Sequence, residues 1–265
     1  LVELYYTGWK QSGMRQVLTQ PTRSTVNDIV FYLLHITGAV LILSWAMSLG
    51  VPVMIRQVVR EVVQIDLTGT IHPFLHLLLY LFVLDFFSYW QHRIMHMFPV
   101  LWHIHSFHHS ASEFNTITVL REHPLDKAVG SITSLIPAVL LGVPVEQYPI
   151  FITVYGIVGY LKHSRIPWRL GWFGKYVVQS PVDHWIHHSF QREHYDTNFS
   201  NVFAIWDHVF GTYYKGSNTN TQIGLAETPF NRRGAFYDLL LTQWLFMKAL
   251  AGMFRRSAPG QVTQG

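Results

Sequence analysis

The residues of this chain best suited to chemistry are histidines that recur at short, regular spacings. Two triples share the pattern H-x-x-H-H, and they consist of His105, His108 and His109, and of His184, His187 and His188. A further pair, His92 and His96, is spaced four residues apart. On a helix, residues three and four positions apart lie on one face, about 5–6 Å from each other. We therefore expect each pattern to direct its imidazoles at one locus.

Eight imidazoles in such patterns indicate two metal ions rather than one. A tetrahedral zinc site takes three or four ligands, whereas eight to ten nitrogens suit two ions with four or five ligands each. His123 and His163 are further candidates, and they bring the set to ten. A ligating imidazole is neutral and donates its other ring N–H to an acceptor. The nearby carboxylates that could accept are Asp85, Glu122, Asp183 and Asp207.

The rest of the sequence excludes several other classes of protein. Cysteine is absent, which excludes thiolate metal sites, Cys-ligated iron–sulfur clusters and a Cys nucleophile. The motifs H-E-x-x-H, G-x-S-x-G and G-x-G-x-x-G and a Walker loop are also absent. The nineteen Lys and Arg residues are scattered, and the net charge is +4. That distribution fits an anionic membrane surface better than a nucleic acid.

Hydrophobic segments must position these histidines. Apolar residues make up 49% of the chain and charged residues 13%, about half the charged share of soluble domains. Segments 29–47 and 73–91 each have nineteen residues, which as helices of about 28 Å match the hydrocarbon core of a bilayer. Segments 125–141 and 147–161 are shorter and predict a membrane hairpin. Segment 236–254 predicts an amphipathic interfacial helix.

The positions of the cationic residues predict how these segments are oriented. Seventeen of the nineteen Lys and Arg residues lie in or beside segments 1–28, 92–124 and 162–235 and the C-terminus. The positive-inside rule places those parts in the cytoplasm. We predict an all-α integral membrane protein with about four transmembrane helices under a cytosolic helical cap. Its regions are a cytosolic segment 1–28, two transmembrane helices 29–91, a His-rich catalytic region 92–235 with a hairpin at about 125–161, and an amphipathic helix and tail 236–265.

These histidine strings resemble the fatty acid hydroxylase superfamily, also called the sterol desaturase family, which consists of integral-membrane di-iron enzymes. The matching strings are Asp85 to His96 (DFFSYWQHRIMH), Leu101-Trp102 to His105, His108-His109-Ser110, Ser180-Pro181 to His184, His187-His188-Ser189 and the closing Trp206 to Tyr213 (WDHVFGTY). The resemblance extends from about Asp85 to Tyr214, half the chain. The motifs are specific for the superfamily, but they do not identify the member.

The resemblance implies that the ten histidines named above ligate two iron ions, which zinc could replace in purified protein, with O₂ as co-substrate. Asp85, Asp183 and Asp207 then lie behind the ligands, and Asp85 is expected to orient one of them. Three positions depart from the family pattern. Arg165 stands where Asn is frequent, Ser200 where Gly is usual, and His208 where Arg is common. These departures bear on the substrate more than on the metal centre.

The resemblance also implies a reaction. The family hydroxylates an unactivated C–H bond of a lipid, such as a fatty acyl, sterol or ether lipid, or alternatively desaturates it. We expect the substrate to leave the bilayer through an apolar channel lined by Phe86, Phe87, Tyr89 and Tyr160. His-Pro-Gly-Gly and flavin motifs are absent, so a separate electron donor is expected, either a ferredoxin or a b-type cytochrome with its reductase. No nucleic acid is expected as a partner. An active site on the cytoplasmic side, in a bacterial inner membrane rather than the endoplasmic reticulum, is favoured.

Two other classes of function are compatible with many histidines. A membrane protein without redox chemistry could bind zinc or copper through them, since ligand type alone does not exclude zinc. A metal transporter, however, would place its ligands within membrane helices, whereas these lie at the boundary and beyond it. A membrane cytochrome with bis-His heme would use isolated histidines on facing helices, so the triples argue against it.

Overall fold

The computed structural model describes residues 1–62, 70–143, 148–219 and 222–256. The regular secondary structure of these residues is helical, with only two isolated β-bridges. The helices are α1 (Val2–Gln11), α2 (Gly13–Thr19), α3 (Arg23–Ile36), α4 (Ala39–Met47), α5 (Val51–Val62), α6 (Pro73–Met97), α7 (Pro99–His109), α8 (Pro124–Leu140), α9 (Tyr148–Lys162), α10 (Gly171–Tyr176), α11 (Pro181–His187), α12 (Ile205–Val209) and α13 (Ala235–Arg256). The all-α prediction is confirmed for this part of the chain. Residues 144–147 of the predicted hairpin and the tail 257–265 lie outside the described residues.

The structure has one helix long and apolar enough to span a bilayer by itself, among the residues described. This helix is α6, with 25 residues. A second span is formed only if α3 and α4 are taken together, and these two helices are bent by 88°. The predicted continuous helix over 29–47 is therefore wrong. It is broken at Gly38, whose φ of 75° lies in the left-handed region that glycine adopts at little cost.

Prolines set both ends of α6. Pro73 occupies the first turn, where its missing N–H costs no hydrogen bond, and the His72 ring accepts from the Phe74 N–H at 3.2 Å. Pro99 disfavours a helical conformation at Phe98 and starts α7. Helix α6 consequently continues six residues beyond the predicted end at 91, to Met97. Its last two turns carry His92 and His96.

The remaining helices pack so that the histidine-bearing faces of α6 and α7 are turned toward the interior. Helix α6 contacts α7 and α8, and α13 packs on α7 and α3. Phe31, Phe107 and Phe230 join α3, α7 and the segment before α13 in one buried cluster. A second cluster, Tyr89, Phe199 and Trp206, joins α6 to the loop before α12 and to α12 itself. These contacts bring residues far apart in sequence to the histidine region.

Candidate metal centre

Nine histidines form two groups that could each hold a metal ion. Site A consists of His92, His96, His105, His109 and His187, and site B consists of His108, His163, His184 and His188. Within each site, one nitrogen from every ring lies within 4.8 Å of the corresponding nitrogen of every other ring. Seven of the nine are buried, and His96 and His108 are partly buried. The structure thus brings together nine of the ten predicted ligands.

Site A is built by the ends of three helices. Helix α6 supplies His92 and His96, α7 supplies His105 and His109, and α11 supplies His187. The Nε2 atoms of His96 and His109 are 3.1 Å apart. The ring centroids of His92 and His187 are 4.4 Å apart. Rings from all three helices therefore converge on one point.

Site B lies beside site A and draws on a fourth segment. His163, directly after α9, has its Nε2 3.3 Å from that of His108 and 3.1 Å from that of His184. The ring of His188 lies 4.7 Å from that of His108, centroid to centroid. His188 also stacks on His109 of site A, with centroids 4.2 Å apart. The two sites are thus adjoining, as a dimetal centre requires.

Each H-x-x-H-H triple is divided between the two sites. In α7, His105 and His109 face site A whereas His108 faces site B. In and just after α11 the division is reversed, because His184 and His188 face site B and His187 faces site A. The expectation of one locus per triple is therefore wrong. Residues four apart differ by about 40° around a helix and those three apart by about 60° in the other direction, so two adjacent sites can separate them.

In five of the nine rings an acceptor holds the outward nitrogen, which orients the inward one. Four Nδ1 atoms contact backbone carbonyl oxygens: His92 with Phe199 at 2.8 Å, His108 with Arg121 at 3.1 Å, His163 with Gly159 at 2.9 Å and His187 with Thr197 at 2.8 Å. A carbonyl only accepts, so each of these Nδ1 atoms carries the proton. The Nε2 atoms are then unprotonated and point into the sites, which is the ligating tautomer.

Several ring nitrogens of the site histidines are buried without any hydrogen-bond partner. Among the residues described, these include Nε2 of His105 and His187 and both ring nitrogens of His188. Leaving a buried acceptor unpaired costs about 1–3 kcal/mol, and a bound cation removes that cost. Neutral imidazole suits iron and zinc. The residues present therefore fit two first-row metal ions, one held by five nitrogens and one by four.

Burial keeps these rings neutral. Burial is the main cause that lowers the pKa of six site histidines outside α6, and the proximity of the other imidazoles adds to it. The pKa falls to about 3 for His108 and His187, and well below the ordinary value for His109, His163, His184 and His188. At neutral pH these rings carry no charge and present free electron pairs to a cation.

We expect the metal-free chain to lose stability as the pH falls from 7 to 5. The unfolded histidines titrate near pH 6.5 whereas the folded ones resist protonation, so the unfolded state binds more protons in this range and stability rises with pH. Each such histidine contributes up to about 1.4 kcal/mol per pH unit. Chemical denaturation at several pH values measures this slope. His188→Ala removes one of these titrating groups and should reduce the slope by up to about 1.4 kcal/mol per pH unit. Stability that does not change between pH 7 and 5 would contradict the prediction.

Asp126 is a site residue that the sequence argument missed. Its Oδ2 accepts from His105 Nδ1 at 2.7 Å, and both side chains are at most a tenth exposed. The other outward contacts described above are to neutral carbonyls, so Asp126 gives site A an anionic acceptor. Glu122, which the sequence predicts as an acceptor for a ligand, instead lies 3.6 Å from the Lys127 ammonium. The available signal was the acidic residue in the first turn of α8, a helix that is otherwise mostly apolar.

Asp126→Asn should lower the metal affinity of site A by about 10- to 100-fold, because the carboxylate both orients His105 and raises its basicity. An anaerobic titration with Fe²⁺ or Co²⁺ measures this affinity. Glu61→Gln makes the same chemical change on an exposed residue of α5 and should leave the affinity unchanged. Equal affinities for the native chain and Asp126→Asn would contradict the role of Asp126.

The three predicted aspartates hold the loops around the sites. Asp85 accepts from the Val202 and Phe203 N–H groups at 2.9 and 2.8 Å, and also from the Trp206 indole and the Tyr155 hydroxyl, both at 3.0 Å. These contacts tie α6 to the segment before α12. None of them is to a histidine.

Asp207 and Asp183 also accept hydrogen bonds from backbone N–H groups rather than from an imidazole. Asp207 accepts from the N–H groups of Phe199 and Ser200 at 2.8 and 3.0 Å. Since the Phe199 carbonyl accepts from His92, Asp207 fixes the acceptor of that ligand. Asp183 forms a capping box with Ser180 and so starts α11, the helix that carries His184 and His187.

The structure does not bring His123 into either site. Its ring is fully buried at the start of α8, where Nδ1 accepts from the Leu125 N–H at 3.2 Å and Nε2 lies 3.3 Å from the Leu239 carbonyl. Both nitrogens are therefore occupied by backbone, and the ring joins α8 to α13. His163, the other added candidate, is part of site B.

The predicted channel residues do not share one surface. Tyr89 is fully buried, with its hydroxyl 2.9 Å from Thr212 Oγ1, whereas Tyr160 is 38% exposed. Phe86 packs on Phe87 and on Trp206. Two cavities of about 300 and 410 Å³ lie elsewhere on the described surface and are lined by other residues.

Comparison with known proteins identifies relatives. Alkylglycerol monooxygenase of Homo sapiens is 27% identical over 174 residues, which is 65% of this chain and 38% of the relative. Ornithine lipid hydroxylase OlsE of Rhizobium tropici is 29% identical over 166 residues, 58% of this chain and 50% of the relative. The chain spans half or less of the length of these relatives. No solved structure matches it.

A family comparison covers the part of the chain that contains both sites. The fatty acid hydroxylase family matches residues 77–212, just over half of the 265 residues. All nine histidines of sites A and B fall within this match. The chain belongs to the fatty acid hydroxylase family.

Proposed function

We propose that this protein is an O₂-dependent lipid hydroxylase that uses two iron ions. The observation that carries the proposal is the pair of adjoining sites, with five and four imidazoles whose ligating nitrogens point inward. The names of the relatives, an alkylglycerol monooxygenase and an ornithine lipid hydroxylase, support a lipid as the substrate. Zinc would fit the same ligands, but it has no redox chemistry, so iron is the ion that the reaction needs.

The proposed reaction converts a C–H bond of the lipid into C–OH. One oxygen atom of O₂ enters the product, and the other leaves as water after taking up two electrons and two protons. When bound, the iron ions supply the activation of O₂. The chain's own residues hold the imidazoles in their neutral form, orient them through the carbonyls of Phe199, Arg121 and Thr197, and exclude water by burial.

A lipid from the bilayer can reach the sites along α6. Its N-terminal half exposes apolar side chains, each 40% or more exposed: Phe74, Leu75, Leu78, Leu79 and Phe82. A monomeric soluble protein seldom exposes such a contiguous patch, so we assign it to contact with lipid. The ligands His92 and His96 lie at the other end of the same helix. We propose that this end faces the cytoplasm, as the cationic residues predict, and that the membrane is a bacterial inner membrane.

The two electrons come from a separate protein in this proposal. The chain contains no heme-binding His-Pro-Gly-Gly and no flavin motif. A ferredoxin, or a b-type cytochrome with its reductase, would dock on the basic face of the catalytic region. Residues 169–215 of this region carry Arg169, Lys175, Arg192 and Lys215.

The test is turnover of lipid by iron-loaded protein with isotopically labelled O₂, followed by mass spectrometry. We expect a product that has gained one labelled oxygen atom, and only when reductant is supplied. A product that has lost two hydrogens and contains no label would establish desaturation instead. Protein that binds two metal ions but gives no product with any lipid and reductant would favour a metal-binding protein without redox chemistry. Product formed without reductant would contradict the proposed reaction.

A further inference from the structure

A cavity outside the metal centre is lined by cationic and polar side chains. It has a volume of about 300 Å³ and lies between α1, α2 and the segment that follows α9. Lys10, Arg15 and Arg165 supply three positive charges, and the other lining residues are amides and hydroxyls. Such a lining favours an oxyanion, which accepts hydrogen bonds from ammonium, guanidinium and amide N–H groups.

The cations of this cavity have no carboxylate partner. Within the described residues, no carboxylate oxygen lies within 4 Å of the charged nitrogens of Lys10, Arg15 or Arg165. The two nearby carboxylates, Glu3 and Glu113, act on Arg165 only from beyond this distance. Glu3 accepts from the Gly13 N–H, and Glu113 accepts from the hydroxyls of Thr22 and Thr25. The positive charge is therefore available to a ligand.

Hydrogen bonds preorganise two of these cations but leave donors free. Arg15 Nη1 donates to the Lys10 carbonyl at 3.1 Å, and Arg165 Nε donates to the Phe114 carbonyl at 2.7 Å. A guanidinium has five N–H donors, so both retain donors for an anion. The amide of Gln16, also in the lining, has a buried oxygen without a partner. Rotation of this amide by half a turn exchanges its oxygen and nitrogen and directs the NH₂ group, a donor, to that position.

The walls of the cavity carry the side chains expected at a membrane surface. Helices α1 and α2 expose apolar and aromatic side chains, each 43% exposed or more: Tyr5, Tyr6, Trp9, Met14 and Leu18. Aromatic residues beside Lys and Arg are typical of the headgroup region of a bilayer. The apolar pair α3 and α4 follows directly in the chain. The walls of the cavity therefore have the composition of a surface that contacts lipid headgroups.

The cavity is also connected to site B through one aromatic residue. Arg165 holds the Phe114 carbonyl, and the Phe114 ring packs on three ligands of site B. Its centroid lies 5.1 Å from that of His163, 5.0 Å from that of His188 and 6.2 Å from that of His184. A lipid whose headgroup occupied the cavity would therefore be anchored next to the metal centre.

We propose that this cavity binds the phosphate of a phospholipid headgroup and holds the lipid beside site B. Its volume is near the lower end of ligand sites, about 300–1,000 Å³, which suits a glycerophosphate group. A protein partner would instead need a surface of about 800 Å². That a phosphate-bearing lipid is the substrate rests on the proposed function, whereas the binding itself does not.

The binding is tested on the metal-free full-length chain in phosphate-free detergent, so that its outcome is independent of hydroxylation. The probes are dihexanoyl phosphatidic acid, dihexanoylglycerol with the same chains but no phosphate, and inorganic phosphate. Calorimetry measures each affinity. We expect phosphatidic acid to bind at least tenfold more tightly than dihexanoylglycerol and than inorganic phosphate.

Variants locate the site. The double variant Lys10→Gln/Arg15→Gln should weaken phosphatidic acid binding at least tenfold, whereas Arg56→Gln/Lys215→Gln makes the same charge change at exposed positions elsewhere and should not. If the first double variant does not fold, Lys10→Gln alone changes an exposed side chain and should weaken binding severalfold.

Four results would overturn the proposal. These are unchanged binding in the Lys10 and Arg15 variants, equal affinity for phosphatidic acid and dihexanoylglycerol, inorganic phosphate that binds as tightly as the lipid, and a glutamate-rich peptide that binds more tightly than the lipid. The third indicates a site for free phosphate, and the fourth a site for an acidic protein. Loss of hydroxylation together with normal lipid binding would count against the proposed function alone.

Discussion

His188→Ala should remove one of two bound metal ions and reduce lipid turnover about a thousandfold. Both ring nitrogens of His188 are buried without a hydrogen-bond partner, and the ring lies between the two sites. A bound metal ion contributes several kcal/mol to transition-state stabilisation, and each 1.4 kcal/mol is about a factor of ten in rate. Elemental analysis of iron per chain and turnover of the lipid are the two measurements.

The matched control is His103→Ala. His103 lies on α7 with three of the ligands, but it belongs to neither site. This variant should retain both metal ions and its activity. If His188→Ala also retained two ions per chain, site B would not be a metal site as described.

Asp28→Asn should lower the free energy of unfolding by about 3–5 kcal/mol, which is the usual cost of removing one partner of a buried ion pair. Asp28 Oδ1 accepts from Arg121 Nε at 2.6 Å, and both side chains are fully buried. Arg121 also donates to Ser110 Oγ at 3.2 Å and to Asn231 Oδ1 at 3.0 Å. Loss of the carboxylate leaves the guanidinium charge buried and uncompensated.

The same substitution should weaken metal binding at site B. The Arg121 backbone carbonyl accepts from His108 Nδ1 at 3.1 Å, so the ion pair holds in place the acceptor that orients this ligand. Chemical denaturation in detergent measures stability, and a metal titration measures the affinity of each site.

The control for this prediction is Glu122→Gln. It breaks the Lys127–Glu122 pair, whose side chains are 41% and 31% exposed, and should cost less than about 1 kcal/mol. Equal effects of Asp28→Asn and Glu122→Gln on the free energy of unfolding would show that the buried pair has no special role.

Local spacing was enough to predict much of the site. The i, i+3 and i+4 pattern of His105, His108 and His109 depends only on the geometry of one helix, and so does the pair His92 and His96. Helices are also local structures, so apolar segments located α6, α8, α9 and α13 to within a few residues, apart from the C-terminal end of α6. The helix over 29–47 failed because one glycine, Gly38, takes a backbone conformation that hydropathy does not encode.

The sequence by itself determined which histidines could converge on a metal centre. It also showed that their number suits two metal ions. Only the tertiary structure decided which histidine belongs to which site and what lies behind each ring. Asp126, Phe199 and Arg121 are 21, 107 and 13 residues away from the histidines they contact. Periodicity along one helix specifies which side chains lie on the same face of that helix. The packing of α6, α7, α9 and α11 determines which residues of other segments contact that face.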